Sequence, residues 1–151
     1  MRLIFLVLML WIMPIYAQNK IQDEISLSAD QGEYDAEKGI ATYTGHVAIA
    51  QANMKLTGDK VVVHFDKGAV TKIEAWGRRA TFHYQPNNEP AITGQGDFMV
   101  YVIHTATVEI EGDASVMQGD NETKAERLTY QLKQQRLRGK RIQMTLNPKT
   151  K

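Results

Sequence analysis

Histidine is the first side chain to test for chemistry, because imidazole is both a common metal ligand and a common general base. The chain carries four, His46, His64, His83 and His104. They stand far apart, and none forms a spacing such as H-E-x-x-H that would bring two rings to one helix face. His64 and His83 alternate with apolar neighbours, which puts both on the outward, solvated face of strands. There is no cysteine, hence no thiolate metal site, no thiol nucleophile and no disulfide framework. A G-x-S-x-G elbow, a Walker A loop and a close acid pair framed for glycoside cleavage are also missing from the sequence. Gly94-Gln95-Gly96 has two glycines of a nucleotide loop but no third and no following helix, so it reads as a turn entering a strand. Asn121-Glu122-Thr123 is a sequon that matters only in a cell that glycosylates its exports. The expectation is a protein with no catalytic residue, no metal and no cofactor.

Charge offers one local feature. Arg136, Arg138, Lys140 and Arg141 cluster near the C-terminus and could contact phosphate groups. A charged edge strand that discourages uncontrolled pairing accounts for the same residues. Arg78-Arg79, after Trp76-Gly77, carries the same two readings. Globally, 18 basic against 17 acidic groups leave +1, with no field to recruit nucleic acid.

The stronger pattern is apolar. Alternate positions give one continuous set: Ile25, Leu27, Tyr43, Val47, Ile49, Leu56, Val61, Val63, Phe82, Met99, Tyr101, Ile110, Val116, Leu128 and Tyr130. Tyr34, Met54, Phe65, Val108 and Leu132 extend it. In a closed sandwich these side chains are simply a core. If the layers splay, they line an apolar groove suited to acyl chains, since each buried CH₂ contributes about 0.8 kcal/mol. The sequence pattern leaves both open.

The elements that must position this set are strands. Period-two alternation recurs along the chain, as in Val61-Val62-Val63-His64-Phe65 and Thr107-Val108-Glu109-Ile110-Glu111. Turn-forming clusters such as Asp66-Lys67-Gly68 and Pro86-Asn87-Asn88-Glu89-Pro90 punctuate it. No dozen-residue helical stripe is present, so the fold class is all-β, an antiparallel sandwich, barrel or roll. The chain also repeats. A shift of 67 residues aligns Asp30 with Asp97, Tyr34 with Tyr101, Gly45 with Gly112 and Asp59-Lys60-Val61 with Glu126-Arg127-Leu128. Asp30 to Asp59 and Asp97 to Glu126 are each 29 residues, with each acid placed just before a strand. Such units stack because one alone cannot bury its apolar face.

The N-terminus reads differently. A short basic start, the apolar run Leu3–Ile15 and the small residue Ala17 make a secretory signal peptide, residues 1–17, cleaved after Ala17. Residues 18–151 then form a single exported domain, neutral once Arg2 is lost.

Three stretches carry a family resemblance. They are Ser28-Ala29-Asp30-Gln31-Gly32-Glu33-Tyr34-Asp35, Ala41-Thr42-Tyr43-Thr44-Gly45-His46-Val47 and Leu56-Thr57-Gly58-Asp59-Lys60-Val61-Val62-Val63. Thr93–Tyr101 and Val108–Ala114 repeat the pattern, and the whole, over about residues 24–146, resembles the OstA-like domain family of lipopolysaccharide transport. The sequence departs from that pattern at His46, where Asn or Asp is usual, and at Gly58, where Ala is common. The resemblance implies a twisted, slightly open antiparallel β-roll, similar to a jellyroll, that binds lipopolysaccharide acyl chains between its sheets. It implies a periplasmic location and no enzymatic activity. It further implies head-to-tail assembly through strand edges, both with copies of the chain and with sister domains at the inner and outer membranes. The terminal segments Ile25–Ser28 and Ile142–Leu146 are the candidate joints. Two other roles fit the same residues. One is the inner-membrane anchored sister component, which needs Leu3–Ile15 to stay attached. The other is a structural β-repeat protein with a filled core and no lipid.

Overall fold

The computed structural model describes residues 24–148, so the expected signal peptide, residues 1–17, lies outside the described residues. Ten strands follow in chain order: β1 (Ile25–Ser28), β2 (Gln31–Asp35), β3 (Ile40–Gln51), β4 (Met54–Asp66), β5 (Ala69–Tyr84), β6 (Ile92–Val102), β7 (Thr107–Gln118), β8 (Asn121–Gln131), β9 (Arg136–Lys140) and β10 (Gln143–Thr145). No helix occurs among the described residues, and none there is long and apolar enough to cross a membrane. The fold is the all-β antiparallel roll that the sequence implied. All ten strands belong to one sheet, in which β3 to β8 pair consecutively as a meander. Alternation of Val, Ile, Leu and aromatic residues with polar ones is what lets each strand present one apolar and one wet face.

The middle strands are long and bent. Segments that look like separate short strands in the sequence, such as Met54–Leu56 and Val61–Phe65, are two halves of one strand. The pairing register shifts at the same level in each strand: Thr44/Val47, Thr57/Lys60, Trp76/Ala80, Gln95/Phe98 and Glu111/Ala114. A bulge adds residues to one strand and turns it. Aligned bulges therefore fold the sheet along a single line into two facing layers. The edges obey the same rule. β1 and β2 pair with the two halves of β3 and are separated at Ala29-Asp30. β10 and β9 pair with the two halves of β8 and are separated at Arg141-Ile142.

The bends explain the repeat. Gly45 (φ +78) and Gly112 (φ +75) hold the left-handed conformation that L side chains rarely adopt. A Cβ on Gly45 would run into Asp30 Oδ2, and one on Gly112 would stand 2.7 Å from Asp97 Oδ2. Each acid thus fills the corner of the strand that follows it. Asp59 does the same for β5 by accepting the Arg78 backbone N–H at 3.1 Å, and Glu126 for the β9–β10 break by pairing with Arg141 at 2.9 Å. Asp30 stands just before β2, as the sequence pattern implied, but the other three acids do not precede strands. Asp59, Asp97 and Glu126 lie inside β4, β6 and β8, because the strands run on through the bend.

Gly94 and Gly96 also differ from expectation. They are not a strand-entry turn but buried positions within β6. A Cβ on Gly94 would meet Ile110 Cδ1 at 2.6 Å. Gly94 pairs with Phe82 and Val116, whereas Ile110 pairs with Met99 and Leu128, so this close approach joins the two layers.

Candidate functional site: the apolar interior

Residues paired directly across strands share a face, so the register defines the interior. One layer offers the row Leu27, Ile49, Leu56, Phe82, Gly94, Val116, Thr123 and Met144. The facing layer offers Tyr34, Ala41, Val63, Ile73, Tyr101, Val108, Tyr130 and Leu137, with a second row from Tyr43 through Val61, Ala75, Met99 and Ile110 to Leu128.

The sequence-predicted lining residues fall on these inward faces. Ile49, Leu56, Val61, Phe82, Met99, Ile110 and Leu128 are wholly buried, and Val47, Val63, Tyr101, Val116 and Tyr130 nearly so. Ile25, Leu27 and Tyr43, at or beside the β1–β2 edge, are partly buried against them. Ile73 and Ile92 are also wholly buried and were missed. Ile73 lies in Lys72-Ile73-Glu74-Ala75, whose alternation is a usable signal. Ile92 follows a proline-rich turn that hides the start of β6. Pro86, read only as turn punctuation, is fully buried as well.

Burial ends at the edges while the inward face continues. Tyr34, the β2 member of its row, is 61% exposed and meets Phe65 edge-on at 5.7 Å. At the opposite edge Ile142, Met144 and Leu146 alternate on one face and are 45%, 54% and 63% exposed. The apolar interior is therefore a continuous strip that is covered in the middle and open at both ends.

Few polar atoms enter it. The Tyr101 hydroxyl donates to Gln51 Oε1 at 3.2 Å. The Tyr130 hydroxyl is buried with no protein partner, and burial pushes its phenol up to about 12, with Tyr84 and Glu89 adding to the rise. Titratable groups otherwise sit outside. His64 Nε2 lies 2.5 Å from Glu74 Oε2, and Lys72 is 3.2 Å from the other carboxylate oxygen. Burial raises the Glu74 pKa, but the hydrogen bonds from His64 and Lys72 outweigh it and leave the group below its ordinary value. His83 is exposed, with Thr93 Oγ1 3.4 Å from its ring. No group of three potential metal ligands occurs among the described residues.

The basic cluster divides. Arg136, Arg138 and Lys140 alternate with the inward Leu137 and Gly139, so they point outward from the edge strand β9 and are exposed. Arg141 (φ +56) is held at the bend by Glu126. Arg79 pairs with Asp113 at 3.4 Å.

Comparison with known proteins gives a consistent picture. Residues 26–136 match the family described as LptA/(LptD N-terminal domain) LPS transport protein. The chain is 31% identical over 143 residues to the lipopolysaccharide export system protein LptA of Escherichia coli K12, covering 89% of this chain and 77% of that one. It is 28% identical over 144 residues to the lipopolysaccharide export system protein LptH of Pseudomonas aeruginosa, covering 86% and 82%. The crystal structure of LptH, described as the LptA-homologous periplasmic component of the lipopolysaccharide transport device of Pseudomonas aeruginosa, superposes with a TM-score of 0.80 at 25% identity. That match covers 83% of this chain and 96% of LptH.

Proposed function

The chain belongs to the LptA/(LptD N-terminal domain) family of lipopolysaccharide transport proteins, and from that premise we propose that it carries lipopolysaccharide through the periplasm by holding the acyl chains between its two layers. The observation that carries this reading is the inward, largely apolar strip, which runs from Tyr34 and Leu27 at one edge to Leu137 and Met144 at the other, with Thr123 the buried polar member of its row. Acyl chains lie along the strip, while sugars and phosphates stay in water. The interior is filled by its own side chains, so a lipid enters by parting the layers, and the aligned bulges form the line about which they part. The protein is a passive conduit: the apolar interior binds and guides, and the energy for movement comes from another component.

Assembly follows from the edges. β1–β2 and β9–β10 each present unpaired backbone groups on one side, and edge pairing is a ready association mode. A head-to-tail contact does not close on itself and can extend. Copies of this chain, and inner- and outer-membrane components of the same transport machinery, would join there to make a bridge. The outward Arg136, Arg138 and Lys140 lie on the C-terminal edge, where headgroup phosphates of a lipid in transit come within reach. Cleavage after Ala17 releases the soluble form.

The test uses two neighbouring positions of β5. Phe82 pairs inward with Leu56 and Gly94, whereas His83 is exposed on the other face. A photo-crosslinking residue at Phe82 should form adducts with lipopolysaccharide, and the same residue at His83 should not. Equal adducts from both positions, or none from Phe82, would reject the interior as the lipid site.

A further inference from the structure

Two phenols share one inward row. Tyr101 on β6 and Tyr130 on β8 flank Val108 of β7, and all three are at least nine-tenths buried. Their hydroxyls differ. Tyr101 donates to Gln51 across the layers. Tyr130 finds no acceptor in the protein. A phenylalanine would fill the same space without the cost of stripping water from a hydroxyl that gains no partner. The site keeps the hydroxyl nonetheless, in a strip where every neighbour in its row, Val108 and Leu137, is apolar.

We infer that the Tyr130 hydroxyl is a donor used by the bound lipid, and that it selects acyl chains bearing a hydroxyl acceptor along the chain over unsubstituted ones. This rests on the interior being the acyl-chain site. Burial favours the neutral phenol, so the group remains a donor throughout the physiological range. The groups acting on it electrostatically are Tyr84, at the end of β5, and Glu89, in the loop that follows; neither supplies a hydrogen bond. An apolar wall would bind any chain by area alone. One fixed donor adds selection by position, because a chain without an acceptor leaves that donor unpaired.

A matched pair of ligands tests it: myristate and β-hydroxymyristate, each competing with a fluorescent fatty acid for the purified protein. The wild type should bind the hydroxylated chain about fivefold more tightly, the worth of one neutral hydrogen bond. Tyr130→Phe should bind both chains alike, and its ligand-free Tm should not fall. The inference is overturned if the wild type has no preference, if the preference survives in Tyr130→Phe, if both ligands weaken equally, or if the ligand-free Tm drops, which would reveal a protein partner for the hydroxyl. Failure of the interior itself gives a different result: neither fatty acid displaces the probe, and Phe82 forms no adduct with lipopolysaccharide.

Discussion

Gly96 is a position where one methyl group decides packing. It is buried in β6, and a Cβ there would stand 2.6 Å from Ile110 Cγ2 and 2.9 Å from the Glu111 carbonyl oxygen. The side chain could turn away, but the backbone carbonyl belongs to the bend of β7 and cannot move without disturbing it. Gly96→Ala should therefore destabilise the protein by about 1–3 kcal/mol, the usual cost of overpacking a fitted interior. Thermal unfolding checks this, and an unchanged Tm would show that the bend yields more easily than its contacts imply. At Tyr130 the logic reverses: removing an atom that contacts nothing polar should cost no stability, and the effect should appear only with ligand bound.

The N-terminal edge is held by fewer bonds than the middle of the sheet, and one of its ties is ionic. Asp30 sits at the break between β1 and β2. Its backbone N–H bonds the Gly45 carbonyl at 2.9 Å, and its carboxylate lies 2.7 Å from Nδ1 of His46, which has φ +46. The Asp30 hydrogen bond, then the Asp30 charge, raises the His46 pKa above the ordinary 6.5, with the Asp59 charge adding to it. Because the folded value is the higher one, the pair's contribution is fully present below about pH 6.5 and is lost as pH rises through the folded value. Both side chains are largely in water, so the effect on global stability is small and belongs to the edge. An NMR titration of His46 should give a midpoint above 6.5 that falls back in Asp30→Asn. A midpoint that ignores the Asn substitution would mean that the pair does not form in solution. The other corners use the same device without histidine, through Asp59, Asp97 and Glu126.

At the scale of the molecule, both ends of the folded sheet are unfinished. The C-terminal end exposes Ile142, Met144 and Leu146 on the face that continues the interior. Asn147 ties this segment back to the β7–β8 turn through its backbone N–H, which donates to Asn121 Oδ1 at 3.1 Å, and through its side chain, which donates to the Asp120 carbonyl. Removing residues 142–151 takes away both the apolar stripe and half of the edge strand. Light scattering should then report smaller assemblies than the full chain forms at equal concentration. Unchanged size would place the joint elsewhere, with the β1–β2 edge the first alternative.

The amino-acid order determined the strand content, the inward parity of residues such as Ile49, Phe82 and Leu128, and the repeat that relates Asp30 and Gly45 to Asp97 and Gly112. Each is a local property: side chains alternate every second residue, and a repeat needs only the chain compared with itself. Ile73 and Ile92 escaped because one sits in an unread alternation and the other behind prolines, not because their chemistry is unusual. Only the tertiary structure decided that half-strands join through bulges, that Gly94 and Gly96 are contact points between layers, that Arg141 is paired while Arg136 and Arg138 point outward, and that one interior hydroxyl lacks a partner. Those features depend on which strand faces which across the bend. That facing is set by the accumulated bulges of six strands acting together, and no window of the sequence contains it.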